Sequence, residues 1–181
     1  MENVTIQGKN FQPYISEEQI HGRVKELAQQ LNEAYQGKDP IFLPILNGAF
    51  MFTADLVREL NFLPEIQFVK VSSYGDSMSS SRQVKSSYGL NKIKVKGRHI
   101  LIIEDIIDSV FTCGYLKEYI EKQEPASVSI ISLMYKPQAF EGNYKADYVG
   151  FEIPNDFIIG YGMDFAQQGR SLRKIYQLVG D

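Results

Sequence analysis

The run Ile100–Ile103 limits what this chain can fold into more than any other segment. It contains only isoleucine and leucine, without polar alternation, and is followed directly by Glu104 and Asp105. An uninterrupted apolar run of strand length indicates a strand that is covered on both faces, which is typical of a parallel sheet packed between helices. The run therefore predicts an α/β protein whose central, mostly parallel sheet is flanked by helices.

The segments around this run alternate in the way that such a fold requires. Ser16 and Gln19 predict a capping box at the start of a helix that ends near Gly37. Further helices are predicted over 49–60 and 112–122. Strands are predicted over 41–46, 66–72, 99–104, 127–134, 147–153 and 157–163, with a last edge strand over 175–179. The alternation holds up to about Met134, and the C-terminal part departs from it.

Composition excludes several classes of protein. The 181 residues are 44% hydrophobic and carry a net charge of −3, so we expect one folded domain without the basic field of a nucleic-acid-binding protein. The single cysteine, Cys113, excludes an internal disulfide framework. Neither a signal-peptide pattern in Met1–Thr5 nor an apolar run of membrane-spanning length is present. We therefore expect a cytoplasmic protein with no membrane or nucleic-acid partner.

The segment between Ser72 and Leu90 has a different composition from its surroundings. It is crowded with serines, has few apolar residues and contains Tyr74 and Tyr88. A loop of this length is uncommon inside a compact domain and is usually a lid, a binding loop or disordered. The composition favours a lid and leaves disorder open as the alternative.

The segment Glu104–Thr112 carries the densest chemistry. Ligands of open α/β sheets bind beyond the carboxyl ends of the strands, where this chain places Glu104, Asp105 and Asp108. The hydroxyls of Ser109 and Thr112 follow at the start of a predicted helix, whose N–H groups favour phosphate. Acids can also cap a helix, and receiver domains and phosphatases likewise place acids at strand ends. The residues alone thus indicate a functional site and leave its substrate open.

Residues 101–109, followed by Thr112, resemble the phosphoribosyl-pyrophosphate motif of the purine phosphoribosyltransferases, specifically the hypoxanthine-guanine branch. The resemblance continues over most of the chain. Leu46–Phe50 is similar to the pyrophosphate loop, and Ser72–Gly75 to the start of the flexible catalytic loop. Similarity to the purine-binding C-terminal portion is carried by Lys136, 149–154, 157–161, Asp164 and Arg170.

This resemblance implies a type I phosphoribosyltransferase fold in a single domain covering 1–181. Its core would span about 38–135, its hood about 1–15 and 136–181, and its flexible loop about 73–90. The implied reaction transfers phosphoribose from phosphoribosyl pyrophosphate to N9 of a 6-oxopurine with Mg²⁺, giving inosine or guanosine monophosphate and pyrophosphate. The resemblance also implies a homodimer or homotetramer.

The resemblance also implies a role for each matching residue. Asp108 would act as general base at the purine N7, while Glu104 and Asp105 would bind the ribose hydroxyls and magnesium. The 5′-phosphate would be held by Ser109, Val110, Phe111 and Thr112. The purine would be bound by Lys136 at O6, by stacking on Phe157 and by the main chain of Ile158. Pyrophosphate would be bound by Leu46, Asn47, Gly48 and Arg170, a second magnesium by Asp164, and the lid would include Ser73 and Tyr74.

Three details of the resemblance concern the phosphate-binding loops. A non-proline cis peptide is implied between Leu46 and Asn47. Val110 stands where the family usually has glycine, and Asn47 where many relatives have lysine. These two departures keep an alternative open, namely a non-catalytic regulatory protein of the same fold that senses nucleotide or RNA. A xanthine-preferring enzyme is a further alternative, because the sequence does not rank the 6-oxopurines.

Overall fold

The computed structural model describes residues 2–74, 83–90, 93–108, 111–139 and 145–180. The helices are α1 (Glu17–Tyr35), α2 (Phe50–Arg58) and α3 (Phe111–Glu121). The strands are β1 (Val4–Ile6), β2 (Lys9–Ile15), β3 (Ile41–Pro44), β4 (Glu65–Ile66), β5 (Lys70–Tyr74), β6 (Gln83–Tyr88), β7 (His99–Ile107), β8 (Ser127–Tyr135), β9 (Tyr148–Glu152), β10 (Ile158–Ile159) and β11 (Ile175–Leu178).

The core is a five-stranded parallel sheet in the order β4-β3-β7-β8-β9. On β7, Leu101 and Ile103 belong to the apolar cluster that includes residues of α1 and α2. Ile100 and Ile102 belong to the opposite cluster, which includes residues of α3. Because successive strand side chains point to opposite faces, the run 100–103 buries both faces of the sheet. The predicted α/β class, with a central parallel sheet between helices, is confirmed.

The strand β7 is longer than the sequence predicts. Its pairing with β8 continues past the predicted end, through Glu104 opposite Ser132 and Ile107 opposite Tyr135. Glu104 and Asp105 therefore lie inside the strand, and only Asp108 follows it. The reason is the register with β8, which places Ile106 opposite Met134 and Ile107 opposite Tyr135, so the backbone of β7 keeps ladder partners beyond Glu104.

A second sheet joins the two ends of the chain. It is antiparallel, in the order β1-β2-β11-β10, and it packs around Phe11 and Ile159. The prediction of an edge strand at the C-terminus is wrong, because β11 lies between β2 and β10. Pairing between segments so distant in sequence leaves no local signal. Of the strand predicted over 157–163, only the two residues of β10 pair in this second sheet. The strand predicted over 147–153 is β9, which belongs to the core sheet.

The predicted strand over 66–72 is two strands in different sheets. β4 pairs with β3, whereas β5 pairs with β6 as an antiparallel ribbon. Between them, Val69 is fully buried and forms a bridge with Ile45. Part of the segment predicted as a loop is therefore strand, and its residues 75–82 lie outside the described residues.

The first helix begins as its sequence predicts. The Ser16 hydroxyl accepts a hydrogen bond from the Gln19 N–H at 3.2 Å, and the Gln19 side chain accepts one from the Ser16 N–H at 2.9 Å. This reciprocal pair satisfies two N–H groups that the helix itself leaves free. Within the described ranges, no helix has the length and apolar character needed to cross a membrane.

Candidate active site

Three acids lie at the carboxyl end of β7, the central strand of the core sheet. Asp105 is buried at 9% exposure, whereas Asp108 is exposed just beyond the strand. Glu104 is partly exposed as a residue, yet its Oε2 atom is buried and no described residue gives it a hydrogen bond. Glu104 Oε2 is therefore a carboxylate oxygen at this end of the sheet that has no hydrogen-bond partner among the described residues.

The loop after β3 packs directly on these acids. A Cβ atom added to Gly48 would overlap the Asp105 carboxyl group, so only glycine lets the backbone approach this closely. Gly162 packs against the Gly48 carbonyl oxygen in the same way and has a φ of +102°. The backbone at Gly48 is thus in contact with Asp105 and Gly162, and both contacts depend on glycine.

The loop 46–49 also carries the predicted cis peptide, and the prediction is confirmed at Leu46–Asn47. The Leu46 N–H donates to the Val69 carbonyl at 2.8 Å, which ties the loop to the sheet. Among the described residues, no acceptor is bonded to the N–H groups of Asn47 and Gly48. Two main-chain donors are therefore available next to the acids.

A cavity of about 150 Å³ opens beside Asp105 and Asp108. Its lining brings together Asp105, Ile106, Asp108, Lys136, Phe157, Ile158, Met163 and Asp164. Lys136 is buried at 7% exposure, and its N–H donates to the Ile107 carbonyl at 3.0 Å, which fixes it beside the end of β7. The side chains of a buried lysine, three aspartates and four apolar residues thus line one small cavity.

Phe157 forms an exposed aromatic wall of this cavity. Its ring is 45% exposed, and its inner side packs on Phe11 and Phe165 at centroid distances of 6.3 and 5.7 Å. Tilted and edge-to-face ring pairs of this kind are favourable and fix ring orientation. The free face can accept a flat apolar ligand by stacking.

Arg170 lies close to the acids but is already engaged. Its Nη2 atom is 2.6 Å from Asp164 Oδ1, and its Nη1 atom donates to the Gly162 carbonyl at 2.8 Å. Asp164 also accepts a hydrogen bond from the Gln167 N–H at 2.8 Å. The predicted residues Asp164 and Arg170 are therefore an ion pair that supports the segment 160–170.

The ionised forms of Glu104 and Asp105 on β7 are unfavourable in the ligand-free protein. Burial raises the pKa of Glu104 well above its usual range, and the neighbouring Asp105 and Asp108 raise it further. Burial also raises the pKa of Asp105 to about 6, although backbone N–H groups and Arg170 oppose the change. Carboxylates that are destabilised in this way favour a cation or hydroxyl donors as ligands.

Several predicted site residues have only partial descriptions. Ser109 and Val110 lie outside the described residues. The backbone of Phe111 begins α3, and Thr112 is partly buried in the first turn. The backbone of Ser73 and Tyr74 lies in β5. Across the described ranges, no group of three or more histidine, cysteine or acidic residues could hold a metal ion by itself.

Sequence reasoning missed two residues of the cavity wall, Ile106 and Met163. Ile106 reads as part of an apolar strand, and Met163 as an ordinary core residue. The only local signal is the pair of glycines in Gly160-Tyr161-Gly162, just before Met163, because glycine adopts positive φ angles readily. In the structure these three residues have φ angles of 101°, 48° and 102°. Such a backbone is typical of a specialised turn.

The sequence matches the phosphoribosyl transferase domain family over residues 16–166. A hypoxanthine-guanine phosphoribosyltransferase from Bacillus subtilis is 45% identical over 158 residues, covering 87% of each chain. A hypoxanthine phosphoribosyltransferase from Haemophilus influenzae is 40% identical over 168 residues, covering 91% of this chain and 93% of the relative.

Solved structures give the same result. A hypoxanthine phosphoribosyltransferase structure from Staphylococcus aureus superimposes with a TM-score of 0.85 at 32% identity, covering 93% of this chain and 91% of the other. A hypoxanthine-guanine phosphoribosyltransferase structure from Bacillus anthracis gives 0.83 at 35% identity, with coverage of 92% and 98%. Its relatives include proteins named hypoxanthine and hypoxanthine-guanine phosphoribosyltransferases. This chain therefore belongs to the phosphoribosyltransferase family and has its type I fold.

Proposed function

We propose that this protein is a purine salvage enzyme that transfers phosphoribose from phosphoribosyl pyrophosphate to hypoxanthine or guanine and releases pyrophosphate. One observation carries the proposal: a single cavity is lined by Asp108, Lys136 and Phe157, directly beside the buried acids Glu104 and Asp105. The cavity has the size and the groups to hold a flat 6-oxopurine. The acids next to it have the chemistry to hold a sugar.

On the base side, Phe157 stacks on the purine ring, and Ile158 offers main-chain groups to its edge. The Lys136 ammonium donates to the O6 carbonyl, which selects oxopurines over adenine because adenine has a donor at that position. Asp108 faces the N7 side and takes the proton that the purine loses as N9 bonds to the sugar. Each residue lines the cavity on which this assignment rests.

On the sugar side, Glu104 and Asp105 accept hydrogen bonds from the two ribose hydroxyls. The unpartnered Oε2 atom of Glu104 supports this role, because a hydroxyl donor would satisfy it. Ser109, Val110, Phe111 and Thr112 hold the 5′-phosphate at the start of α3. The N–H groups of Asn47 and Gly48, together with Arg170, bind pyrophosphate at the other end of the donor.

The same acids fit magnesium. Glu104 and Asp105 would supply hard oxygen ligands, and Glu104 Oε2 has no partner among the described residues. Asp164 would serve a second ion after exchanging its contact with Arg170. Magnesium usually binds to one or two carboxylates together with phosphate oxygens, in agreement with the absence of a three-residue cluster in the described ranges. When bound, it neutralises the leaving pyrophosphate.

The segment 73–90 is proposed to cover the site during the reaction. A developing ribose cation would react with water, so Ser73, Tyr74 and the following residues are assigned to exclude it. Homodimer or homotetramer formation and a cytoplasmic location remain proposals that rest on the family.

The decisive experiment is a turnover assay with phosphoribosyl pyrophosphate, magnesium and each of hypoxanthine, guanine, xanthine and adenine. We expect absorbance changes for hypoxanthine or guanine and none for adenine. Turnover with xanthine alone would favour the xanthine-preferring alternative. No turnover with any base, despite binding of the sugar donor in calorimetry, would contradict the enzyme assignment and favour a regulatory protein.

A further inference from the structure

The segment Gly160–Gly162 is held in an unusual conformation by a side chain of another element. Tyr161 is buried at 5% exposure and has a φ of +48°, a left-handed value that is unfavourable for a residue with a Cβ atom. Its hydroxyl donates to Asp55 Oδ2 on α2 at 2.6 Å. Burial and Asp55 both raise the pKa of Tyr161, so it remains a donor.

One neighbour of Tyr161, Gly162, contacts residues at the proposed pyrophosphate end of the site. Gly162 packs on the Gly48 carbonyl, and its N–H donates to the Arg170 carbonyl at 2.9 Å. In return, Arg170 Nη1 donates to the Gly162 carbonyl at 2.8 Å. The Tyr161 N–H donates at 2.8 Å to the carbonyl of Leu172, which follows Arg170 by two residues.

These contacts form one chain of support. Asp55 holds Tyr161, Tyr161 fixes the left-handed turn, and the turn contacts both Gly48 and Arg170. Neither Asp55 nor Tyr161 lines the base cavity; both line a different cavity of about 350 Å³. We infer that Asp55 and Tyr161 are positioning residues, which set the geometry of the pyrophosphate-binding groups without touching a substrate. The inference rests on the proposed function, which places pyrophosphate at Gly48 and Arg170.

Met163, which follows the turn, lines the base cavity, but the two residues assigned to the purine O6 and ring have supports that do not include the Tyr161–Asp55 hydrogen bond. Lys136 is fixed at the end of β8, and Phe157 is held by Phe11 and Phe165. Loss of the Tyr161–Asp55 hydrogen bond should therefore affect pyrophosphate and the sugar donor much more than the purine. A purely structural role would weaken the binding of all substrates together.

The test uses Tyr161→Phe, Asp55→Leu, which removes the acceptor, and the double variant. Binding of magnesium pyrophosphate is measured by calorimetry, and the KM values for phosphoribosyl pyrophosphate and hypoxanthine by steady-state kinetics. We expect each single variant to weaken pyrophosphate binding and raise the donor KM about tenfold, with less than about a twofold change in hypoxanthine KM. The double variant should match the single variants, because both remove the same hydrogen bond.

Arg58→Ala is the matched control. Arg58 lies 3.8 Å from Asp55 Oδ1 and is exposed, so its removal alters the charge around Asp55 but keeps the hydrogen bond to Tyr161. This variant should bind pyrophosphate like the wild type. If it reproduces the Asp55→Leu effect, general electrostatics explains the result and the inference is wrong.

Other outcomes also decide the question. Unchanged pyrophosphate affinity in both single variants, or an equal rise in both KM values, would overturn the inference. Loss of the cooperative thermal transition in both would overturn it as well, since the link would then be structural. If only Tyr161→Phe fails to fold, Asp55→Leu carries the test because it keeps the tyrosine ring and removes the acceptor. A wild-type protein without turnover would refute the proposed function instead, whereas an active wild type with unaffected variants would remove only the positioning role.

Discussion

The two walls of the base cavity are built in opposite ways. One wall is the end of β7, an inner parallel strand whose backbone is paired on both sides and which buries Asp105. The other is the segment 157–170, where a two-residue strand is followed by three residues with positive φ. The first wall can hold the unfavourable negative charge of a buried carboxylate because neighbouring strands fix its backbone. The second obtains its shape from glycine contacts and aromatic packing.

The largest expected effect comes from removing the charge of Asp108 on the first wall. Asp108→Asn should lower kcat by about 10²–10⁴-fold, because an amide cannot take the purine proton. The KM for phosphoribosyl pyrophosphate should change little. Steady-state kinetics measures both quantities. Asp39→Asn, which alters an exposed acid paired with Arg98, is the matched control; full activity of Asp108→Asn would exclude its role as base.

The buried charge of Asp105 gives a prediction about stability and pH. Since burial raises its pKa from 3.8 to about 6, folding favours the protonated form, and the stability this contributes is lost as pH rises through about 6. In the ligand-free protein, Asp105→Asn should therefore raise the free energy of unfolding at pH 7.5 by up to about 3 kcal/mol. The same variant should lose most of its activity.

Urea unfolding at several pH values checks this prediction. The stability gained by Asp105→Asn, relative to the wild type, should be smallest near pH 4 and should increase up to pH 7. A gain that does not vary with pH would show that packing against Gly48, and not charge, governs this position.

Lys136 tests how the cavity selects its base. Lys136→Met introduces an apolar side chain of similar length, so it removes only the ammonium donor. A hydrogen bond from a charged group contributes about 1.5–3 kcal/mol, so the KM for hypoxanthine should rise at least about tenfold. Kinetics with hypoxanthine and adenine should show less discrimination between the two. Lys145→Met changes an exposed lysine and should have no effect; an unchanged KM in Lys136→Met would place O6 recognition elsewhere.

The smallest expected effect concerns Val110, which lies outside the described residues. Val110→Gly should lower the KM for phosphoribosyl pyrophosphate about fivefold, since a β-branched residue resists the left-handed conformations that bring a backbone close to phosphate. Val179→Gly, at an exposed valine, is the control. An unchanged KM would mean that the loop binds phosphate well with valine in place.

Local patterns predicted the elements whose signals are short-range. The Ser16 capping box and the buried run 100–103 depend on neighbours within a few residues, and both occur as expected. The break between β4 and β5 was not predicted. The residues of this stretch do not show that Val69 is buried and bridges to Ile45, or that β5 then leaves the core sheet to pair with β6. The length of β7 was missed because it depends on β8.

By itself, the sequence determined the class of the fold and the acidic character of one segment, because hydrophobic periodicity and residue chemistry act over a few neighbouring residues. Only the tertiary structure decided which distant groups meet. It placed β11 between β2 and β10, packed Gly48 against Asp105 and Gly162, and connected Tyr161 to Asp55 across 106 residues. Contacts between backbone atoms of separate segments depend on how whole layers pack, and no local pattern encodes them.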